Sequence, residues 1–378
     1  IVCSLVGSEM CIRDSIAGID QIQVSANWMA ASGENIEDLA LRKGVEALSN
    51  FSIDLGVSIP VGKDSLSMRT KWEEGNDQYA VKSPLSGVIT AMAPVDDVRD
   101  AVTTLLKKDI DSQLVLIKLN DKNRLGGSIF SEVYNQTVQE TPDVDSAEIF
   151  IKMFKLTQSL IKEGSIDALH DVSDGGLVSA ICELAFTART GISINLDSLV
   201  KDESLLNEVL FNEEIGLILQ IDKSKINDIT NQFNEQGLNV FVLGELNTND
   251  VLEIDLNDKT IFSDSIANLE TIWRQTSHAI QSLRDNKKSA DSELSLVTDG
   301  YTGLFSKDSF IDPALDNFSI KSSKPSVAIL REQGVNGQME MAAAFHLAGF
   351  NAVDVHMQDL LDCSKDINNF NGMAVWGG

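Results

Sequence analysis

Cysteine, histidine and proline are all scarce in this chain of 378 residues, and aromatic residues make up only 6%. The cysteines are Cys3, Cys11, Cys182 and Cys363. None forms a CxxC pair, and their spacing fits neither a zinc site nor a disulfide framework, which points to a reducing, cytoplasmic setting. The histidines are scattered, so no Ser/His/Asp or Cys/His nucleophile set can be assembled. Basic residues number 30 against 57 acidic ones, for a net charge of −27. That balance excludes a protein that grips nucleic-acid backbones through Lys and Arg. No apolar run reaches about 18 residues, so no ordinary transmembrane helix and no membrane partner are expected. The opening IVCSLVGSEMCIRDS has no basic leader region and no long apolar stretch, which excludes a secretory signal. It matches nothing that follows, and residues 1–15 are set aside as a non-native leader.

What is present is a chain that can build cores: 43% of residues are hydrophobic. At about 150 residues per domain, the length allows two full domains and a fragment. Residues 16–99 read as α/β. Ile19 to Ser25 alternates as a half-buried strand does, and Asn35 to Leu48 carries Ile36, Leu39, Ala40, Val45 and Leu48 at helical spacing. GVSIPVG (56–62) reads as a buried strand entering a loop, and LSGVITAMAPV (85–95) as another strand. Residues 100–284 read as a second α/β domain. Its expected strands are LVLIKL (114–119), IDAL (166–169), IGLILQI (215–221) and NVFVLGEL (239–246). Its helices are expected at 147–162, closed by Gly164, and at 176–189, 223–236 and 266–284. Residues 285–324 lose periodicity and read as an extended linker with short packed pieces. From 325 the pattern restarts: strand SVAIL, loop REQGVNG, helix 338–349, strand 350–357 and a last strand from Met373. This is the start of a parallel, doubly wound sheet, too short within 325–378 to close its own core.

HDVSDGGL (170–177) is the strongest constellation for chemistry. It falls between a strand and a helix, where unpaired N–H groups and the positive dipole end favour anions. Gly175 and Gly176 permit close approach of a phosphate, and Asp171 offers a hard oxygen to Mg²⁺. The plain alternative is an ordinary cap, with Ser173 or Asp174 on the helix end. PVGKDSLSM (60–68) invites comparison with a P-loop, but Gly56 to Gly62 is one residue too long and Asp64 stands where Ser or Thr belongs. Lys63 still suits a phosphate or carboxylate and Asp64 could orient it; the alternative is a surface Lys–Asp turn. Asn212, Glu213 and Glu214 read as a solvated turn before a strand. The REQGVNG loop with Glu340 lacks GxGxxG, and His346 reads as an ordinary helix residue. Gly377 and Gly378 after Trp376 could aim N–H groups at an oxyanion, or form a plain turn.

Taken in order, SANWMAA (25–31), SIPVGKDSLSM (58–68), LHDVSDGGL (169–177), LFNEEIG (210–216), SLRDN (282–286) and the stretch 327–361 resemble the phosphoribosylformylglycinamidine synthase family, also called formylglycinamide ribonucleotide amidotransferase, in its large single-chain form. The resemblance runs over residues 16–378. It implies an α/β fold: an aminoimidazole ribonucleotide synthetase-like two-domain unit followed by the start of a class I glutaminase, flavodoxin-like domain. It implies ATP-dependent amidation of formylglycinamide ribonucleotide in purine synthesis. Glutamine supplies the ammonia, ATP/ADP and Mg²⁺ are the cofactors, and ATP phosphorylates the amide oxygen that ammonia then displaces. On the family pattern Asp171 is a Mg²⁺ ligand, and Ser173, Gly175 and Gly176 contact nucleotide. Lys63 and Asp64 face the nucleotide–substrate cleft, and Gly377 and Gly378 open the glutaminase oxyanion strand. The first synthetase repeat, the Mg²⁺ ligands before SANWMAA and the glutaminase nucleophile have no counterpart, and Cys363, in a polar loop, is not that nucleophile. The chain is therefore expected to be a fragment without glutaminase activity of its own. The competing expectation is a non-catalytic nucleotide-binding or interaction module of the same synthetase fold.

Overall fold

A computed structural model describes residues 18–33, 35–138, 140–299, 324–332, 335 and 337–375. The chain divides into two compact units, 1–301 and 302–378.

The first unit opens with β1 (Gln23–Met29), α1 (Asn35–Leu55), β2 (Ser58–Ser65), the hairpin β3 (Arg69–Glu74) and β4 (Asp77–Lys82), and β5 (Ser86–Met92). β1 lies between β2, to which it is parallel, and β5, to which it is antiparallel. Trp72 and Tyr79 sit opposite each other in the hairpin and stack with centroids 5.4 Å apart. Two expectations are corrected here. Ile19–Gln21 forms a turn of 3₁₀ helix, and the strand begins at Gln23, because pairing with β5 runs from Gln23↔Met92 to Met29↔Ser86. β2 is mostly exposed rather than buried, and it continues through Lys63 and Asp64.

A larger mixed sheet follows. Its elements are β6 (Ser112–Lys118), α2 (Ile129–Val133), α3 (Ala147–Lys162), β7 (Ala168–Val172), α4 (Gly176–Ala188), β8 (Gly191–Asn195), α5 (Leu206–Phe211), β9 (Gly216–Asp222), α6 (Ile226–Glu235), β10 (Asn239–Asn247), β11 (Val251–Leu256), β12 (Lys259–Ser265), α7 (Ile266–Arg284) and α8 (Lys287–Ser295). The strand order is β12-β11-β8-β10-β6-β9-β7. Alternation along a strand sends successive side chains to opposite faces. Both faces of β6 are buried for that reason. Leu114 and Leu116 join a core with Ile181, Leu184 and Ile194, while Val115 and Ile117 join another with Phe154, Leu160 and Phe233. The first core is covered by α4 and the start of α7, the second by α3 and α6. Ser146 and Ser265 cap α3 and α7, each accepting from the backbone N–H three residues on. The outer edge of β7 is covered by the preceding segment, with Leu169 N–H donating to Thr103 O at 3.1 Å. One more expectation changes. β7 extends three residues past its apolar run to pair with β9, His170↔Ile218, Asp171↔Leu217 and Val172↔Gly216, which places Asp171 inside the strand. Within the stretch read as a linker with short packed pieces, α8 forms at Lys287–Ser295, and the Asn286 side chain accepts from the Lys288 and Ser289 N–H groups.

The second unit contains β13 (Ser326–Arg331), α9 (Gln338–Leu347), β14 (Asn351–His356), α10 (Met357–Leu361) and β15 (Gly372–Val375). β13 is central and parallel to both neighbours, as the strand–helix–strand reading expects. Its core is small: Ala328, Leu330 and Val355, with Met357, Leu360, Ile367 and Phe370 against it. Among the described residues no helix is long and apolar enough to cross a membrane.

Candidate functional site

The bend between β7 and α4 gathers two of the motifs. β7 delivers His170 and Asp171 to opposite faces of the sheet. His170 Nε2 lies 3.0 Å from Glu183 Oε2 of α4, and its Nδ1 lies 2.6 Å from the Asp171 carbonyl oxygen. Burial disfavours the imidazolium, but these two acceptors outweigh it, and the His170 pKa is raised. The Asp171 side chain is only 7% exposed, with its Oδ1 3.8 Å from His170 Nδ1.

After Val172 the chain turns through Ser173 and exposed Asp174 into two glycines at φ +81° and +72°. The helix cap is Gly175, and no side chain of its own segment caps it, so neither Ser173 nor Asp174 plays the expected capping role. Gly176 N–H donates to Ser173 O at 2.9 Å. A Cβ on Gly176 would stand 2.6 Å from Asn212 O and 2.8 Å from Leu210 O, so the bare glycine lets the helix start press against the 210–212 backbone.

That backbone belongs to LFNEEIG, in which Glu213 is half-buried and Glu214 is buried. Glu213 Oε1 accepts from Gly175 N–H and from Ile129 N–H, both at 2.9 Å. Burial raises the Glu213 pKa, the two amides opposing it and Asp174 adding to it. Glu214 turns inward. Its Oε1 and Oε2 meet Arg124 Nε at 2.5 Å and Nη2 at 2.8 Å, a bidentate pair with side chains 1% and 10% exposed. Bonding to Glu214 raises the Arg124 pKa further. Asp145 completes the group, 2.8 Å from Lys122 Nζ and 3.2 Å from Arg124 Nη2, and its carboxyl is held below the usual range chiefly by Lys122. Lys118, buried on β6, donates to Lys122 O at 3.0 Å and Asn123 Oδ1 at 2.7 Å, and burial lowers its pKa. A cavity of about 10 Å³ beside this group is lined by Lys118, Asn212, Glu214 and Val172; it is large enough for one water and no ligand.

The remaining candidates lie elsewhere. Lys63 and Asp64 occupy a different sheet from Asp171, at β1–β2 register positions opposite Asn27 and Trp28. As neighbours in a strand they face opposite ways, so Asp64 does not orient the Lys63 ammonium, which donates to Ser65 Oγ at 2.8 Å. Gly377 and Gly378 lie outside the described residues, as does the 1–15 leader. His346 is on α9 and Cys363 is exposed after α10. Among the described residues no group of three or more His, Cys, Asp or Glu side chains is placed to hold a metal ion. Any cation held at the bend by Asp171 would have to take most of its ligands from other sources, as Mg²⁺ does from phosphates. Sequence reasoning missed Arg124 and read Glu213 and Glu214 as part of a solvated turn. Glu214 and Arg124 are 90 residues apart, and no local spacing signals such a pair.

Comparison with known proteins finds family matches to three stretches of the chain. Residues 9–94 match the FGAR-AT PurM_N-like domain, 111–257 the C-terminal domain of AIR synthase related proteins, and 324–378 the CobB/CobQ-like glutamine amidotransferase domain. Solved structures with a similar fold include Thermotoga maritima PurL complexed with FGAR, with a TM-score of 0.51 and 14% identity over 68% of this chain and 40% of that one. PurLQS from the same organism gives a TM-score of 0.50 and 14% identity over 68% and 39%. The chain thus spans about two-fifths of the length of these solved relatives. At that identity the likeness concerns the fold, a mixed α/β synthetase-like architecture with a glutamine amidotransferase domain at its C-terminal end. A PurM_N-like, an AIR-synthase-like and a glutamine amidotransferase match, in that order along one polypeptide, make the chain similar to formylglycinamide ribonucleotide amidotransferases.

Proposed function

We propose that this chain is part of a glutamine-dependent ligase of purine synthesis that amidates formylglycinamide ribonucleotide at the expense of ATP. The observation that carries this reading is the joining of synthetase-like domains to a glutamine amidotransferase domain in one chain. That union is what a reaction needs when one half makes ammonia and the other spends it on an activated amide. Formylglycinamide ribonucleotide and glutamine are then the substrates. Within the first unit, ATP or ADP would lie at the β7–α4 bend, with Ser173 against its phosphates, Gly175 and Gly176 admitting them closely because they carry no side chain, and Asp171 holding Mg²⁺. Bound Mg²⁺ would neutralise phosphate charge there. Lys63 and Asp64 belong on this reading to the substrate side, and Gly377 and Gly378 to the glutaminase oxyanion strand. A reducing, cytoplasmic setting remains part of the proposal.

The test is ligand-dependent stability. A ligand bound only by the folded state adds RT ln(1 + [L]/Kd), about 2.7 kcal/mol at a hundredfold excess over Kd. ADP with Mg²⁺ should raise the Tm of this chain, and Asp171→Ala should abolish most of the gain. No shift at millimolar nucleotide, or an equal shift in Asp171→Ala, would refute the assignment of the bend.

A further inference from the structure

The turn 212–214 is a densely hydrogen-bonded polar element next to the bend. Asn212 Nδ2 donates to Glu208 O at 2.6 Å and Val209 O at 3.0 Å, and its Oδ1 accepts from Glu214 N–H at 3.3 Å. Glu214 is locked by two bonds to Arg124. From this anchored turn a single oxygen of Glu213 reaches two backbone amides on separate elements, Gly175 at the bend and Ile129 at the start of α2. The bend has no side-chain cap of its own, and its two residues at positive φ are glycines, which have no intrinsic preference for that conformation.

We infer that Glu213 is a positioning residue: it sets the shape of the 173–176 bend through the Gly175 amide and ties that bend to α2. It touches no nucleotide atom on this account. It acts by fixing Ser173 and the backbone two residues beyond Asp171 before a ligand arrives, so ordering is not left to the binding step. It also takes the Gly175 N–H out of the set open to a phosphate, since the Gly176 N–H is already given to Ser173 O. An incoming phosphate is left with the Ser173 hydroxyl and the amides beyond Gly176. The consequence for ligands rests on the nucleotide reading above; the clamp itself does not.

The experiment uses the whole chain and two readouts. Amide hydrogen exchange over 127–131 and 173–178, without ligand, should speed up in both segments together by about tenfold or more in Glu213→Ala. Glu213→Gln keeps a carbonyl oxygen for the same two amides and should restore both. Glu213→Asp, shorter by one methylene, should loosen at least one and serves if the alanine variant does not fold. With ADP and Mg²⁺, Glu213→Ala should weaken the apparent Kd by about fivefold or more, and Glu213→Gln should recover it, as preorganisation requires. Exchange unchanged in both segments, or a glutamine variant as loose as the alanine one, overturns the inference. If the unmodified chain shows no nucleotide effect, the bend assignment falls while the exchange result still decides the role of Glu213.

Discussion

Arg124→Ala removes the cation from the most deeply buried charge pair of the first unit. Arg124 and Glu214 are 10% and 1% exposed and joined by two bonds of 2.5 and 2.8 Å. Water can screen neither, so truncating the arginine leaves a carboxylate in the interior. Glu214 would retain the Arg124 backbone N–H at 3.2 Å and Asn120 Nδ2 at 3.3 Å, both longer and uncharged. Breaking one side of a buried pair costs about 3–5 kcal/mol, and these two remaining donors put the expected loss near the lower end, about 3 kcal/mol. For a unit of this size each kcal/mol moves Tm by about 2–4 °C, so the fall should be about 6–12 °C. Replacing both partners, Arg124→Met with Glu214→Leu, removes the stranded charge and should recover most of the loss, because apolar substitutes for a buried pair are often neutral. The double-mutant cycle, read by urea unfolding and calorimetry, should therefore give a coupling of about 2 kcal/mol. A loss below about 1 kcal/mol for Arg124→Ala would refute the reasoning, since that is what a solvated pair is worth.

Other consequences are as direct. Gly176→Ala places a Cβ 2.6 Å from Asn212 O at φ +72°, and should cost about 2 kcal/mol or more in urea unfolding; a neutral substitution would mean the 210–212 backbone yields. His170 has its folded pKa raised above the ordinary 6.5 by Glu183 and the Asp171 carbonyl against the opposing effect of burial. The stability from this pair is complete below about pH 6.5 and is lost as pH rises through the folded value, so Glu183→Gln should cost more at about pH 6 than at about pH 8.5. Equal costs would show that His170 does not become imidazolium in the fold. Burial pushes the Cys182 thiol up to about 12, so peptide mapping after iodoacetamide should find it unmodified in the native chain and modified after unfolding.

The parts of this fold that could be read from the sequence are those whose causes are local. The helix Ala147–Lys162 carries its own start signal in Ser146, its apolar stripe and its stop at Gly164, and the structure places it within those limits. Ile266–Arg284 likewise starts after its own cap, Ser265. β6 was legible because an apolar run without alternation is what a strand buried on both faces requires. β2 has a similar run but sits in a three-stranded sheet with little cover, and only the sheet can tell the two apart. β7 outruns its hydrophobic pattern because β9 continues to pair with it, which carries Asp171 off the bend and into the strand.

The polar site divides along the same line. HDVSDGGL announces a strand, a bend and a helix through its own glycines, so its place was evident; the reason for those glycines was not. Gly176 answers to the carbonyls of Leu210 and Asn212, residues more than thirty positions away. Adjacent carboxylates such as Glu213 and Glu214 look alike in a sequence and are most cheaply explained by water. The fold gives them opposite tasks, one holding backbone amides from two elements, the other an arginine from a distant loop. Both tasks depend on one rigid turn. Loosening Asn212 or Arg124 should therefore disturb the bend as surely as changing Glu213, and the stability of the core and the geometry of the site are at this point the same quantity.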